Sequence, residues 1–102
     1  MFNYEIYQLE MCDANHGRIF CGYDEAIKYF GEIKKDGYRF VYGFDGFASG
    51  KKPTLDDIYY TFNMNRPDDF KGHSLSVSDI VKTPDGYYYC DSFGWQKLDW
   101  ED

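Results

Sequence analysis

Apolar and polar positions alternate at the start of the chain. Phe2, Tyr4 and Ile6 oppose Asn3 and Glu5, the period of two that marks a half-buried strand over residues 2–9. Asp13-Ala14-Asn15-His16-Gly17 is loop chemistry, and residues 18–22 (RIFCG) form a short apolar run that predicts a return strand and hence a hairpin. The period then lengthens. Asp24 and Glu25 suit the positive end of a helix dipole, Ala26, Ile27, Phe30 and Ile33 share one face, and Lys34 and Lys35 suit the negative end. Gly37 is placed to end that helix, although Gly31 also allows an end at Phe30. Alternation resumes at residues 38–44, with Tyr38, Phe40, Tyr42 and Phe44 on one parity and Arg39 and Val41 on the other.

Residues 45–53 (DGFASGKKP) are rich in turn formers, and the helix after them is well signalled. Thr54 is a good N-cap, and Asp57 three positions on completes a capping-box variant. Leu55, Ile58, Tyr59 and Phe62 fall at i, i+3, i+4 and i+7, and Pro67 requires the helix to end near residues 63–65. Strand character returns from Leu75 and Val77, and Ile80 and Val81 break the parity, which predicts a bulge or bend near Ser78-Asp79. Thr83-Pro84-Asp85-Gly86 is a turn, residues 87–91 pair back, Ser92-Phe93-Gly94 turns again, and residues 95–98 make a last strand. The expected order is β-β-α-β-α-β-β-β. The economical packing is an α+β domain, an antiparallel sheet of five to six strands carrying two helices over residues 1–98, with an acidic tail at 99–102 that frays.

Composition narrows the function. A chain of 102 residues is one domain, and folding at that size removes roughly 60–70% of the extended surface from water. Aromatics at 22% exclude intrinsic disorder. Eleven basic against eighteen acidic residues give a net charge of −7, so direct nucleic-acid binding is not expected. No apolar run is long enough to span a membrane, and the opening MFNYEIYQLE lacks a signal-peptide pattern, so a cytoplasmic location with Cys12, Cys21 and Cys90 reduced is expected.

The stretch RPDDFKGHSLSVSDIV, followed by YYYCDSFGWQKL and led by TLDDIYYTFNM, resembles the YodL-like family of bacterial domains, as does the opening YEIYQLE. The resemblance covers nearly the whole chain. It implies a small domain, free or part of a longer protein, encoded in Firmicutes genomes and their conjugative and other mobile elements, often near antirestriction genes. It implies no catalytic chemistry and no cofactor.

Each chemical constellation has a plainer reading. His73, Ser74, Asp79, Cys90 and Asp91 contain nucleophile and base types, but Ser74 adjoins His73, and serines at a strand entry bond to nearby backbone. Cys12, His16 and Cys21 supply three ligands where a structural zinc needs four, so no metal is expected. Asp56-Asp57 and Asp68-Asp69 are adjacent carboxylates at helix starts, not a pair set across a cleft. The residues therefore point to a non-catalytic module that binds a protein partner through His73, Ser74, Ser76, Tyr87, Tyr89, Phe93 and Trp95. The alternative is an acidic inhibitor of host defence, antirestriction or anti-CRISPR, that imitates DNA. A third reading is a hydrolase-like enzyme centred on His73 and Cys90.

Overall fold

The computed structural model describes residues 2–10, 15–47 and 50–100. Its elements are β1 (Tyr4–Leu9), α1 (Tyr23–Phe30), β2 (Tyr38–Phe44), α2 (Leu55–Met64), β3 (Ile80–Thr83), β4 (Gly86–Cys90) and β5 (Trp95–Leu98). The strands form one antiparallel sheet in the order β2-β1-β3-β4-β5, so the α+β class holds with five strands and two helices. Cys12, with Asp13 and Ala14, lies outside the described residues, as do Ala48-Ser49 of the long loop and Glu101-Asp102 of the tail.

The order is the expected one less the early return strand. Residues 16–20 form turns, with the amides of Arg18 and Ile19 both donating to the Asn15 carbonyl. The site that strand would need is taken, because β1 pairs with β2 along one edge and β3 along the other. Residues 75–77 also lie outside the sheet, and β3 begins only at Ile80. The bend foreseen before it is present: Ser78 adopts φ 84°.

Successive strand residues face opposite sides, so Ile80 and Val81 divide the core in two. Val81 joins Tyr4, Ile6, Leu75 and the α2 residues Ile58 and Phe62 on one face. Ile80 joins Tyr87, Tyr89, Leu98 and the α1 residue Ala26 on the other. Each helix thus covers its own face of the sheet. A bulge in β2 corrects the expected parity: Ile6 pairs with Tyr42 and Tyr7 with Phe40, leaving Val41 as the extra residue. Tyr42 and Phe44 turn to the α2 side, whereas Tyr38 packs on the α1 side and Phe40 stays exposed.

The caps differ in kind. In α2 the Asp57 amide donates to Thr54 Oγ1 at 3.1 Å and the Thr54 amide to Asp57 Oδ2 at 2.9 Å, a complete capping box. Replacing Thr54 by Ala is expected to cost about 1 kcal/mol in urea unfolding. An unchanged midpoint would mean the box adds nothing. Helix α1 ends at Phe30, with Gly31 at φ 80°, and buries only Ala26 of its expected stripe, leaving Ile27 and Phe30 exposed. Gly22 at its N-cap has no side chain to offer, and Asp91 from the distant β4–β5 turn supplies the acceptor, taking the Tyr23 amide at 3.0 Å. Trp100 does not fray. Its indole N–H donates to the Ile33 carbonyl at 2.7 Å, and its ring packs on Tyr38 and Tyr87.

Candidate functional site

Antiparallel pairing brings the last residues of β1 and β4 and the first residues of β2, β3 and β5 to one end of the sheet, as the pairs Leu9–Tyr38, Ile80–Tyr89 and Cys90–Trp95 record. The HSLSVSD segment (residues 73–79) crosses that end, and its polar residues fold inward. Asp79 is 2% exposed and Gln8 fully buried. The Asp79 carboxylate oxygen Oδ2 accepts from the Ser76 amide at 2.7 Å and from Gln8 Nε2 at 3.0 Å. The Asp79 carbonyl accepts from the Cys90 amide at 2.8 Å, and the Cys90 carbonyl from the Ser78 amide at 2.9 Å. Asp79 therefore ties β1 to the segment through its carboxylate and β4 to both through its backbone carbonyl. Burial pushes its pKa up to about 7, against the opposing pull of the hydrogen bonds from Ser76 and Gln8.

His73 closes this cluster from outside. Its Nδ1 lies 2.7 Å from the Ser74 carbonyl, which can only accept, so Nδ1 carries the hydrogen. The second ring nitrogen Nε2 faces Asp79 Oδ1 at 3.9 Å. Gln8 commits both amide hydrogens, to the His73 carbonyl at 2.9 Å and to Asp79, so its 3.4 Å approach to His73 Nδ1 joins two donors and is not a hydrogen bond. A Cβ at Gly72 would overlap Gln8 Oε1 and the Val41 side chain, so only glycine permits this approach. Gln8 Oε1 is itself buried without a partner.

Two residues here hold a backbone conformation that side chains disfavour. Among the described residues Phe20 (φ 65°) and Ser78 (φ 84°) are the non-glycines with positive φ, and they are bonded to each other: the Phe20 amide donates to Ser78 Oγ at 3.0 Å. Ser78 is locked further by the Tyr38 hydroxyl, which donates to its carbonyl at 2.6 Å. Phe20 stands 58% exposed, its ring edge-on to His73 with centroids 6.0 Å apart. Gly22 abuts Asp91 and Ser92, joining the segment that carries Phe20 to the turn that carries Phe93, which is 95% exposed. Trp95, half-buried, follows that turn and meets Tyr59 of α2 edge-on at 6.5 Å.

The residues singled out in the sequence thus divide. His73, Ser74, Ser76, Phe93 and Trp95 gather at this end of the sheet. Ser74 and Ser76 are half-buried and bonded to each other, the Ser76 hydroxyl donating to the Ser74 carbonyl at 2.7 Å. Tyr87 and Tyr89 lie in the core beneath α1 instead, because β4 is an interior strand covered on that face. Cys90 is buried, and burial, with Asp79 and Asp91 nearby, pushes its thiol up to about 12, away from the thiolate a nucleophile needs. Sequence reasoning missed Phe20 and Gln8. Gln8 carried a signal, a polar residue on the buried parity of Tyr4 and Ile6, whereas Phe20 sat unmarked inside an apolar run.

The segments HSLSVSD and YYCDSFG meet at this site, and a family model described as the YodL-like domain matches residues 3–100. The chain belongs to the YodL-like family. No curated protein and no solved structure matches it. No helix among the described residues is long and apolar enough to cross a membrane. Within this YodL-like domain the two segments supply Asp79 of the buried polar cluster and Phe93 of the exposed aromatic rim, with Gln8 and Phe20 completing them.

Proposed function

We propose that this YodL-like domain is a non-catalytic protein-interaction module, acting in the bacterial cytoplasm and encoded by a mobile element. Its contact face is the aromatic end of the sheet: Phe20 and Phe93 as anchors, with His73, Ser74, Ser76 and Trp95 around them. The observation that carries the reading is Phe20. A left-handed conformation costs a non-glycine residue about 1–2 kcal/mol, and an apolar ring held out in water recovers little of that by burial. Folding alone favours glycine at this position. A partner that buries the ring accounts for both costs, because a prearranged aromatic anchor loses little entropy on binding.

The acidic-mimic reading draws less support. Asp45, Asp57, Asp69, Asp79 and Asp91 each accept internal hydrogen bonds, so these charges are committed to caps, turns and the core. The enzyme reading draws less still, given the buried Cys90 thiol.

Affinity capture from lysate of the host bacterium, then affinity measurements at low and physiological salt, tests the proposal. Phe93→Ala is expected to weaken binding to the captured partner by at least ~2 kcal/mol, with little dependence on salt. Steep salt dependence, an indifferent Phe93 and a larger loss on neutralising Asp68 with Asp69 would favour the mimic, since charges on a wet surface are screened over roughly 8–10 Å.

A further inference from the structure

The buried cluster at Asp79 sets an imidazole against a buried carboxyl. The Ser74 carbonyl fixes the hydrogen of His73 on Nδ1, which leaves Nε2 without a hydrogen, 3.9 Å from Asp79 Oδ1. Two acceptors face each other, and one proton between them relieves the conflict. It sits on the carboxyl, giving a neutral pair. Removing it leaves a carboxylate, 2% exposed, whose Oδ2 keeps its two donors while Oδ1 faces a lone pair. The other groups packed on Asp79 cannot take up the change. Gln8 from β1 gives only amide hydrogens, the Tyr38 hydroxyl from β2 is raised by burial, and so is the Cys90 thiol from β4. The Phe20 ring lies edge-on to His73 and carries no charge.

We propose that the His73–Asp79 pair is a proton-sensitive latch on residues 73–78, closed while the pair holds one proton and released when it is lost. The released segment includes Ser76, whose amide is tied to Asp79 Oδ2, and Ser78, which holds the Phe20 amide. The raised carboxyl, near 7, places the transition in the neutral range. The latch concerns the fold of this segment and stands whether or not the aromatic end binds a partner.

Amide hydrogen exchange on the intact chain, corrected for intrinsic rates, tests it at pH 5.5 and pH 8.5. Protection of the Ser76 amide is expected to fall at least tenfold between the two. Asp79→Asn keeps the Oδ acceptor and sets an amide hydrogen toward His73 Nε2, so it is expected to abolish the fall. Equal protection at both pH values in the wild type, or the same fall in Asp79→Asn, overturns the latch. Should Asp79→Asn not fold, carboxyl carbon NMR of the wild type decides: a titration of Asp79 near 7 supports the latch, and one near 4 overturns it.

Discussion

Asp79→Ala is expected to destabilise the protein by about 2–4 kcal/mol at pH 5.5, the largest loss of any single polar substitution. The change strips the acceptor from the Ser76 amide and from Gln8 Nε2, and each buried donor left unmatched costs about 1–3 kcal/mol. Against a total of about 5–15 kcal/mol for a domain, that is a large share. Asp79→Asn keeps those bonds and does not titrate, so it is expected to be no less stable than wild type at the same pH. The difference between wild type and Asp79→Asn grows in base. Because the folded carboxyl is raised to about 7 from an ordinary 3.8, the folded state binds the proton more tightly than the unfolded chain between those values. Its contribution is fully present below about 4 and is lost as pH rises through about 7. At pH 8.5 the wild type therefore carries a buried charge that Asp79→Asn lacks, and the variant is expected to be the more stable. Urea unfolding at both pH values checks each statement, and a parallel wild-type and Asp79→Asn profile would refute the buried-charge account.

Much of the fold was legible because local chemistry and tertiary packing agree. The capping box at Thr54 and Asp57, the stripe of Ile58 and Phe62, and the hairpin turn at Pro84-Asp85 are each set by neighbours in sequence. The early hairpin was not, because pairing is decided by who else competes for an edge. Residues 18–22 look like a strand, yet β1 reaches its partners β2 and β3 from far along the chain. The β2 bulge was hidden for a related reason. Its even-numbered aromatics read as one face, and only the register against Ile6 and Tyr7 shows that Val41 is extra.

The candidate site was legible in part. His73, Ser74 and Ser76 were marked by polarity, and their location beside Phe93 and Trp95 follows from the sheet order. Tyr87 and Tyr89 lie in the core, a placement that aromatic content alone does not reveal because it cannot distinguish an edge strand from an interior one. Phe20 left no trace, since positive φ in a phenylalanine is imposed from outside, here by Ser78 and the 20–22 contact with the β4–β5 turn. The α1 cap was equally invisible, because Asp91 reaches Tyr23 across most of the sequence.

Phe20→Gly separates folding from function more directly than any other change. Glycine adopts the left-handed conformation without penalty, and what it loses is an edge contact with His73 and some unfolded-state rigidity. Stability is therefore expected to remain within about 1 kcal/mol of wild type. If the ring is the anchor, affinity for the captured partner is expected to fall at least ~30-fold, the equivalent of about 2 kcal/mol. Urea unfolding and partner titration of this single variant give both readings. Unchanged stability with lost binding is the predicted result; unchanged binding, with stability reduced by more than about 2 kcal/mol, would make Phe20 a structural residue and contradict the interaction face.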